Sequence, residues 1–315
     1  MKKKLITLFF FLLFIMIVVS IFSGCVTKRE PFEYEGMNRS YVLHLPESYD
    51  SSLSYPLVMV FHGGGGNARN IERVTGFSQK ADEEEFIVVY PDGTGRFNNR
   101  LFTWNAGFCC GYAFENDIDD VGYIKALITS LLENYSIDST MIYATGISNG
   151  GILTYLVASE LSDIFAAVAP VAAQIGGQAS IDEEPWQIPE PEHPVSVIVF
   201  NGMNDSRVPY EGGRPLANDT HVYSWFSTND SISFWIEQNQ CNPIPKRNIS
   251  ESGNIIIDTY HDGLQNTEVV LVTIVNGTHS WPGGEKGRNR GDEPTSEINA
   301  TDLIWEFFKN HKKSN

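Results

Sequence analysis

From residue 39 onward, short runs of branched and aromatic apolar residues alternate with longer segments whose apolar positions recur at helical spacing. Strands are predicted at residues 40–45 and 57–61, separated by a turn-rich stretch, and a helix at 71–84. The apolar run 86–90 is stopped by Pro91-Asp92-Gly93, and a long loop holding Trp104, Cys109 and Cys110 follows. Asp119 and Asp120 stand where helix caps belong, ahead of a helix with Ile124, Leu127, Leu131 and Leu132 on one side. Then come a strand at 141–145, a turn, a helix at 149–161, and two further apolar strands at 166–171 and 195–201. A helix at 231–238, a strand at 269–275 and a helix at 300–309 close the pattern. Wholly apolar strands alternating with helices predict an α/β fold, a mostly parallel central sheet with helices on both faces.

Two segments break the rhythm. Residues 176–194 are rich in acid and proline, and residues 211–229 are polar and irregular. Both fall between late strands, where loops of such a sheet form the rim of a site; solvated loops without a role are the plainer reading. No Pro- or Gly-rich linker marks a second module, so one domain is expected over 36–312.

The N-terminus follows another logic. Lys2, Lys3 and Lys4 precede the almost wholly apolar stretch 5–22, and Ser23 and Gly24 lead to Cys25, the plan of a secretory leader. Phe22-Ser23-Gly24-Cys25 resembles a lipoprotein signal, with residues 1–24 removed, Cys25 lipidated and 25–35 serving as a tether. The alternative is an uncleaved anchor, since the stretch approaches bilayer-spanning length. Either way the domain is expected outside the cytoplasm, touching a membrane only through this end.

The whole chain carries a formal charge of −17, with 22 basic and 39 acidic residues. Losing the three leader lysines leaves 19 − 39 = −20. Such a surface repels phosphate backbones, so nucleic acid is not an expected partner and a neutral substrate fits better. Apart from Cys25 the cysteines are Cys109, Cys110 and Cys241. In an oxidising compartment one disulfide with one thiol left over is expected, but its pairing is not readable from sequence. No further Cys/His cluster completes a ligand set, so no metal is expected.

Gly146-Ile147-Ser148-Asn149-Gly150 matches G-x-S-x-G between the strand 141–145 and a helix. That is the context in which a serine is held on a sharp strand-to-helix turn with its hydroxyl exposed, as in the α/β-hydrolase fold. A serine needs a base, and the base an orienting carboxylate, in the chain order Ser, Asp/Glu, His. His279 lies in the loop after the last strong strand. Its rivals are less well placed: His221 in the polar insertion, His261 beside the turn Asp262-Gly263, and His311 in a Lys-rich tail. Asp205 follows the strand 195–201, whereas Asp219 lies deeper in an irregular stretch. His62-Gly63-Gly64-Gly65-Gly66 ends the strand 57–61. Its glycine N–H groups are suited to half of an oxyanion hole, with Gly64 the first choice of donor, Gly63 next, and the Asn149 N–H the other half. A phosphate-cradling loop is disfavoured because no Gly-Lys-Ser/Thr ending is present.

Several segments together resemble the secreted polyhydroxybutyrate depolymerases and feruloyl or acetylxylan esterases. They are His62 through Ala68, Tyr90-Pro91-Asp92, Trp104-Asn105-Ala106-Gly107, Cys109-Cys110-Gly111, the run Asp119 to Ile124, the serine motif, Asp205 with Val208-Pro209-Tyr210, and His279 through Gly283. The resemblance implies Ser148, Asp205 and His279 as a catalytic triad and a disulfide between Cys241 and the Cys109-Cys110 segment. It also implies that Trp281, beside the histidine, touches substrate. Trp104 is a candidate cleft residue, a packed core tryptophan being the alternative; Asp119 and Asp120 read as caps or anchors. The segments 176–194 and 211–229 depart from common members, which leaves polyester against acylated polysaccharide open.

The expectation is therefore a cofactor-free extracytoplasmic serine ester hydrolase. Its rivals are a serine peptidase of the same fold, a surface polymer-binding lipoprotein with a vestigial site, and a structural envelope lipoprotein.

Overall fold

A computed structural model describes residues 29–96, 100–180, 182–215, 223–287 and 291–313. The expected leader, Cys25, Asp219 and His221 lie outside the described residues. In chain order the strands are β1 (Arg29–Tyr34), β2 (Met37–His44), β3 (Tyr55–Phe61), β4 (Ile87–Pro91), β5 (Ile137–Ile147), β6 (Ala167–Val171) and β7 (Gly176–Gln178). They continue with β8 (Trp186–Gln187), β9 (Ser196–Gly202), β10 (Ser224–Trp225), β11 (Lys246–Ile249), β12 (Ile255–Tyr260) and β13 (Val269–Ile274). The helices are α1 (Ala68–Thr75), α2 (Phe77–Glu84), α3 (Gly111–Glu115), α4 (Asp120–Asn134), α5 (Asn149–Glu160), α6 (Thr228–Asn239) and α7 (Ala300–Lys309).

Ten strands form one sheet in the order β1-β2-β4-β3-β5-β6-β9-β13-β12-β11. The six from β4 to β13 are parallel, and antiparallel pairs close each side. Successive residues of one strand face opposite sides, so the apolar strands feed two cores. Leu57, Met59, Phe61, Val197 and Val199 face the layer of α4, α5 and α6. Val58, Val60, Ile198 and Phe200 face that of α1, α2 and α7. Helix α5 is apolar all round and buried along almost its whole length, as a helix wedged between sheet and neighbours must be. The fold is an α/β sheet with helices on both faces, as the alternating pattern predicts.

Four local features differ from the sequence expectation. The tether segment contains β1, whose Phe32 and Tyr34 reach inward from an antiparallel pairing with β2. The helix expected at 71–84 is two helices. Gly76, at φ 68°, takes the left-handed conformation that ends α1 by donating its N–H to Glu72 O, and α2 starts in a new direction. The hairpin β11–β12 extends the sheet where no strand was predicted, because β11 is exposed along its length and carries no apolar alternation. Parts of the two irregular segments pair with each other, as the small sheet β10-β7-β8.

The cysteine pairing implied by resemblance is not formed. Cys109 and Cys110 are bonded to each other, and Cys241 is a buried free thiol with Sγ 3.8 Å from Thr267 O. The reason is topological. Helix α6 begins near Gln174 and Pro209 at the C-terminal edge of the sheet and ends where Asn239 clamps Val195, at the start of β9. Cys241 therefore lies a strand length from the Cys109-Cys110 loop, roughly 20 Å at about 3.3 Å per residue, far beyond disulfide reach. Burial pushes its thiol up to about 11.

Candidate active site

The C-terminal ends of β3, β5, β9 and β13 bring together the chain's chemistry-bearing loops. Ser148 occupies the single residue between β5 and α5, at φ 58° and ψ −125°. A non-glycine residue in this region costs about 1–3 kcal/mol, which the surroundings must offset. Its N–H donates to Val171 O at 2.9 Å, tying the turn to β6. The second glycine of the motif is required by close approach. A Cβ on Gly150 would stand 2.5 Å from the carbonyl oxygens of both Phe61 and His62, so any side chain would drive α5 off β3.

His279, in the loop after β13, lies across the cleft from the glycine loop. Its Nδ1 is 2.7 Å from Asp205 Oδ2. Asp205 is buried, and its other oxygen accepts the N–H groups of Arg207 and Val208 at 2.8 and 2.9 Å, which fixes the carboxylate's rotation. With Nδ1–H donated to Asp205, a neutral imidazole keeps its lone pair on Nε2. Ser148, His279, Gly63 and Gly64 line one cleft of about 290 Å³. Ile71, Val74 and Ile147 supply apolar wall, and Asn70, Arg207, Glu285 and Asp292 supply polar wall. Among the described residues the Ser148 hydroxyl has no hydrogen-bond partner; such contacts often tighten only with substrate bound.

Of the two tryptophans expected at the cleft, Trp281 lines it and Trp104 does not. Trp104 is fully buried, its indole N–H donating to His62 O at 2.9 Å, and does not line the cleft. Trp281 backs the cleft wall but is 1% exposed, with its ring edge-on to Phe77 and its N–H donated to Thr301 Oγ1 at 3.0 Å. A buried indole needs a partner for its N–H, and both partners here lie inside the protein. Asp119 caps α4 by accepting the Gly122 N–H. Asp120 is an anchor: it accepts from Arg39 at 2.6 Å and from the Asn105 N–H at 2.7 Å, holding the loop that carries Trp104. Burial pushes the Asp120 carboxyl above its ordinary value against the pull of Arg39.

Two residues matter more than the sequence suggested. The Asn149 side chain is buried, its Oδ1 accepting the Trp104 N–H at 2.8 Å and its Nδ2 donating to Trp104 O at 3.0 Å. A polar residue directly after the motif's serine is unremarkable in sequence, and only the folded loop reveals its partner. His62 is fully buried, with Nδ1 2.9 Å from Gly63 O and Nε2 accepting the Gly93 N–H at 3.0 Å. A histidine opening a glycine run was the available signal.

Burial lowers the His62 pKa from 6.5 to about 4. Between those values the unfolded chain binds the proton that the folded chain refuses, so stability rises with pH across the window and falls as pH drops through it. This group alone should make the protein about 2 kcal/mol less stable at pH 5 than at pH 7. Urea unfolding at the two pH values, in wild type and His62→Gln, checks it. The pH-dependent loss should shrink by that amount in the variant; equal losses would place the effect elsewhere.

With this geometry in hand, likeness to known proteins becomes informative. Residues 39–182 match the family described as esterase PHB depolymerase. Feruloyl esterase B of Piromyces equi is 25% identical over 249 residues, covering 79% of this chain but 44% of the relative, so the chain spans less than half of that protein. Probable feruloyl esterase C of Aspergillus clavatus is 30% identical over 199 residues, covering 62% of this chain and 65% of the relative. The solved acetyl xylan esterase from Aspergillus awamori superposes with a TM-score of 0.58 at 14% identity, covering 90% of this chain and 99% of that one, a likeness of fold. The matched region runs from β2 through the serine elbow to the rim segment after β7. Residues 39–182, somewhat under half of the chain, are thus similar to the esterase PHB depolymerase family, and the fold is that of the α/β hydrolases.

Proposed function

We propose that the protein is an extracytoplasmic serine ester hydrolase acting through a Ser148–His279–Asp205 triad and a covalent acyl-enzyme. The observation that carries this is the pairing of a strained, cleft-facing Ser148 with a His279 that Asp205 holds through Nδ1 at 2.7 Å in the same cleft. Ser148 Oγ attacks the ester carbonyl while His279 Nε2 takes its proton. Asp205 keeps the imidazole in the productive tautomer and stabilises the imidazolium. The N–H of Asn149, first in α5 and lacking an intrahelical acceptor, faces the developing oxyanion together with the N–H groups of the Gly63-Gly64 loop. The alcohol leaves with the proton from His279, and water, activated by the same nitrogen, releases the acid. The scheme uses only these side chains and backbone donors.

The substrate class follows the named relatives, which include a poly(3-hydroxyalkanoate) depolymerase of Paucimonas lemoignei as well as feruloyl esterases. An ester of an acylated polysaccharide fragment or a polyester oligomer fits a cleft with one apolar and one polar wall. The leader pattern and Cys25 support a domain outside the cytoplasm, tethered through lipid. Among the described residues no helix is long and apolar enough to cross a membrane.

Leaderless protein incubated with a fluorophosphonate, then assayed on methyl ferulate, acetylated xylan, p-nitrophenyl esters, hydroxybutyrate oligomers and a peptide amide, tests the reading. Labelling together with ester turnover is expected. A folded protein that takes no label would favour a polymer-binding role, and a preference for the amide would favour a peptidase.

A further inference from the structure

Residue 104 touches both halves of the proposed oxyanion site without touching the cleft. Its indole N–H donates to the carbonyl of His62 at 2.9 Å. That carbonyl belongs to the peptide unit that also carries the Gly63 N–H, and a planar trans peptide points the two groups in opposite directions. Fixing the oxygen therefore fixes the direction of the Gly63 N–H. The main chain of the same tryptophan is gripped at both ends by the Asn149 amide, at 2.8 and 3.0 Å. Asn149 supplies the other N–H. The ring is itself immobilised, lying 4.8 Å from the His62 ring and edge-on to Phe61 at 5.7 Å, and it is fully buried. Further back, Asp120 holds the next residue of the loop through the Asn105 N–H, and Arg39 holds Asp120.

We infer that Trp104 is a positioning residue that sets the spacing between the two oxyanion donors, linking the glycine loop after β3 to the N-terminus of α5. The inference rests on the esterase reading above and deepens it by assigning a role to a residue outside the cleft. A donor pair placed for the tetrahedral oxyanion acts on the transition state more than on the bound ester, so loosening the pair lowers kcat while KM stays nearly constant. Displacements near 1 Å at such sites cost up to about a hundredfold in rate.

Trp104→Phe keeps an aromatic ring against Phe61 and His62 and removes the N–H along with part of the indole's bulk. On a p-nitrophenyl ester its kcat per titrated active site should fall about tenfold or more, with KM within about twofold. Affinity for an aryl boronic acid, which forms a tetrahedral adduct on the serine, should fall in parallel with kcat. Asn149→Asp, which retains the acceptor for the Trp104 N–H and loses the donor to Trp104 O, should show the same split, and serves if Trp104→Phe does not fold. If kcat per active site and boronate affinity both stay within about twofold of wild type, or if only KM or the number of active sites changes, Trp104 is a packing residue and the inference is wrong. Those outcomes leave the triad reading intact. A wild type that is itself inactive towards esters and boronate overturns both.

Discussion

Replacing Ser148 by Ala is expected to abolish ester turnover, with kcat falling by at least about 10⁴-fold, while the fold and its melting midpoint stay close to wild type. Both parts come from the same local structure. The hydroxyl makes no hydrogen bond among the described residues, so its removal leaves no orphaned partner. The backbone strain at φ 58° is held by the Ser148 N–H to Val171 O bond and by the close seating of Gly150 on β3, and alanine retains both. The residual rate comes from the N–H donors and from substrate binding. A variant that keeps even a tenth of wild-type kcat on a p-nitrophenyl ester would show that another group is the nucleophile.

Asp205→Asn is expected to lower kcat by roughly 10³–10⁴-fold through a tautomer error rather than by loss of structure. Two backbone N–H groups, of Arg207 and Val208, already donate to Oδ1. They select the orientation in which the asparagine carbonyl takes that place, and its NH₂ then faces His279. The imidazole must accept at Nδ1 and carry its proton on Nε2, where it cannot take the serine proton. Asp205→Ala removes the wrong donor together with the right acceptor, and the two N–H groups it deserts destabilise the loop by about 1–3 kcal/mol. Comparing kcat and urea midpoints of the two variants separates these effects. Near-normal kcat in Asp205→Asn would mean that the carboxylate does not orient the base.

The parallel core was legible because wholly apolar strands carry their own signal, and Ser148 because its motif is readable only between a strand and a helix. Asp205 and His279 emerged from chain order plus the loops that end apolar strands; the structure seats His279 at the cleft with Asp205 buried behind it in hydrogen-bond contact, and their chemical roles rest on the experiments above. What escaped was set by partners outside each segment's own residue pattern. Strand β11 is exposed along its length, so pairing with β12 rather than its own pattern makes it a strand. The tryptophans illustrate the same limit. Trp104 is held inside by donating its indole N–H to His62 O, whereas Trp281, which donates to Thr301, still lines the cleft. Cys241 resembled a disulfide partner by its place in the chain, and the direction of α6 carries it to the opposite edge of the sheet.

The acyl-enzyme is the central claim, and intact-protein mass spectrometry after rapid acid quenching of a p-nitrophenyl acetate reaction tests it directly. The account predicts a single acetyl-sized mass increase in wild type, mapped by digestion to the peptide holding Ser148, accumulating within one turnover and absent from Ser148→Ala. Turnover with no covalent adduct at any quench time, or an adduct that maps elsewhere and persists in Ser148→Ala, would contradict it.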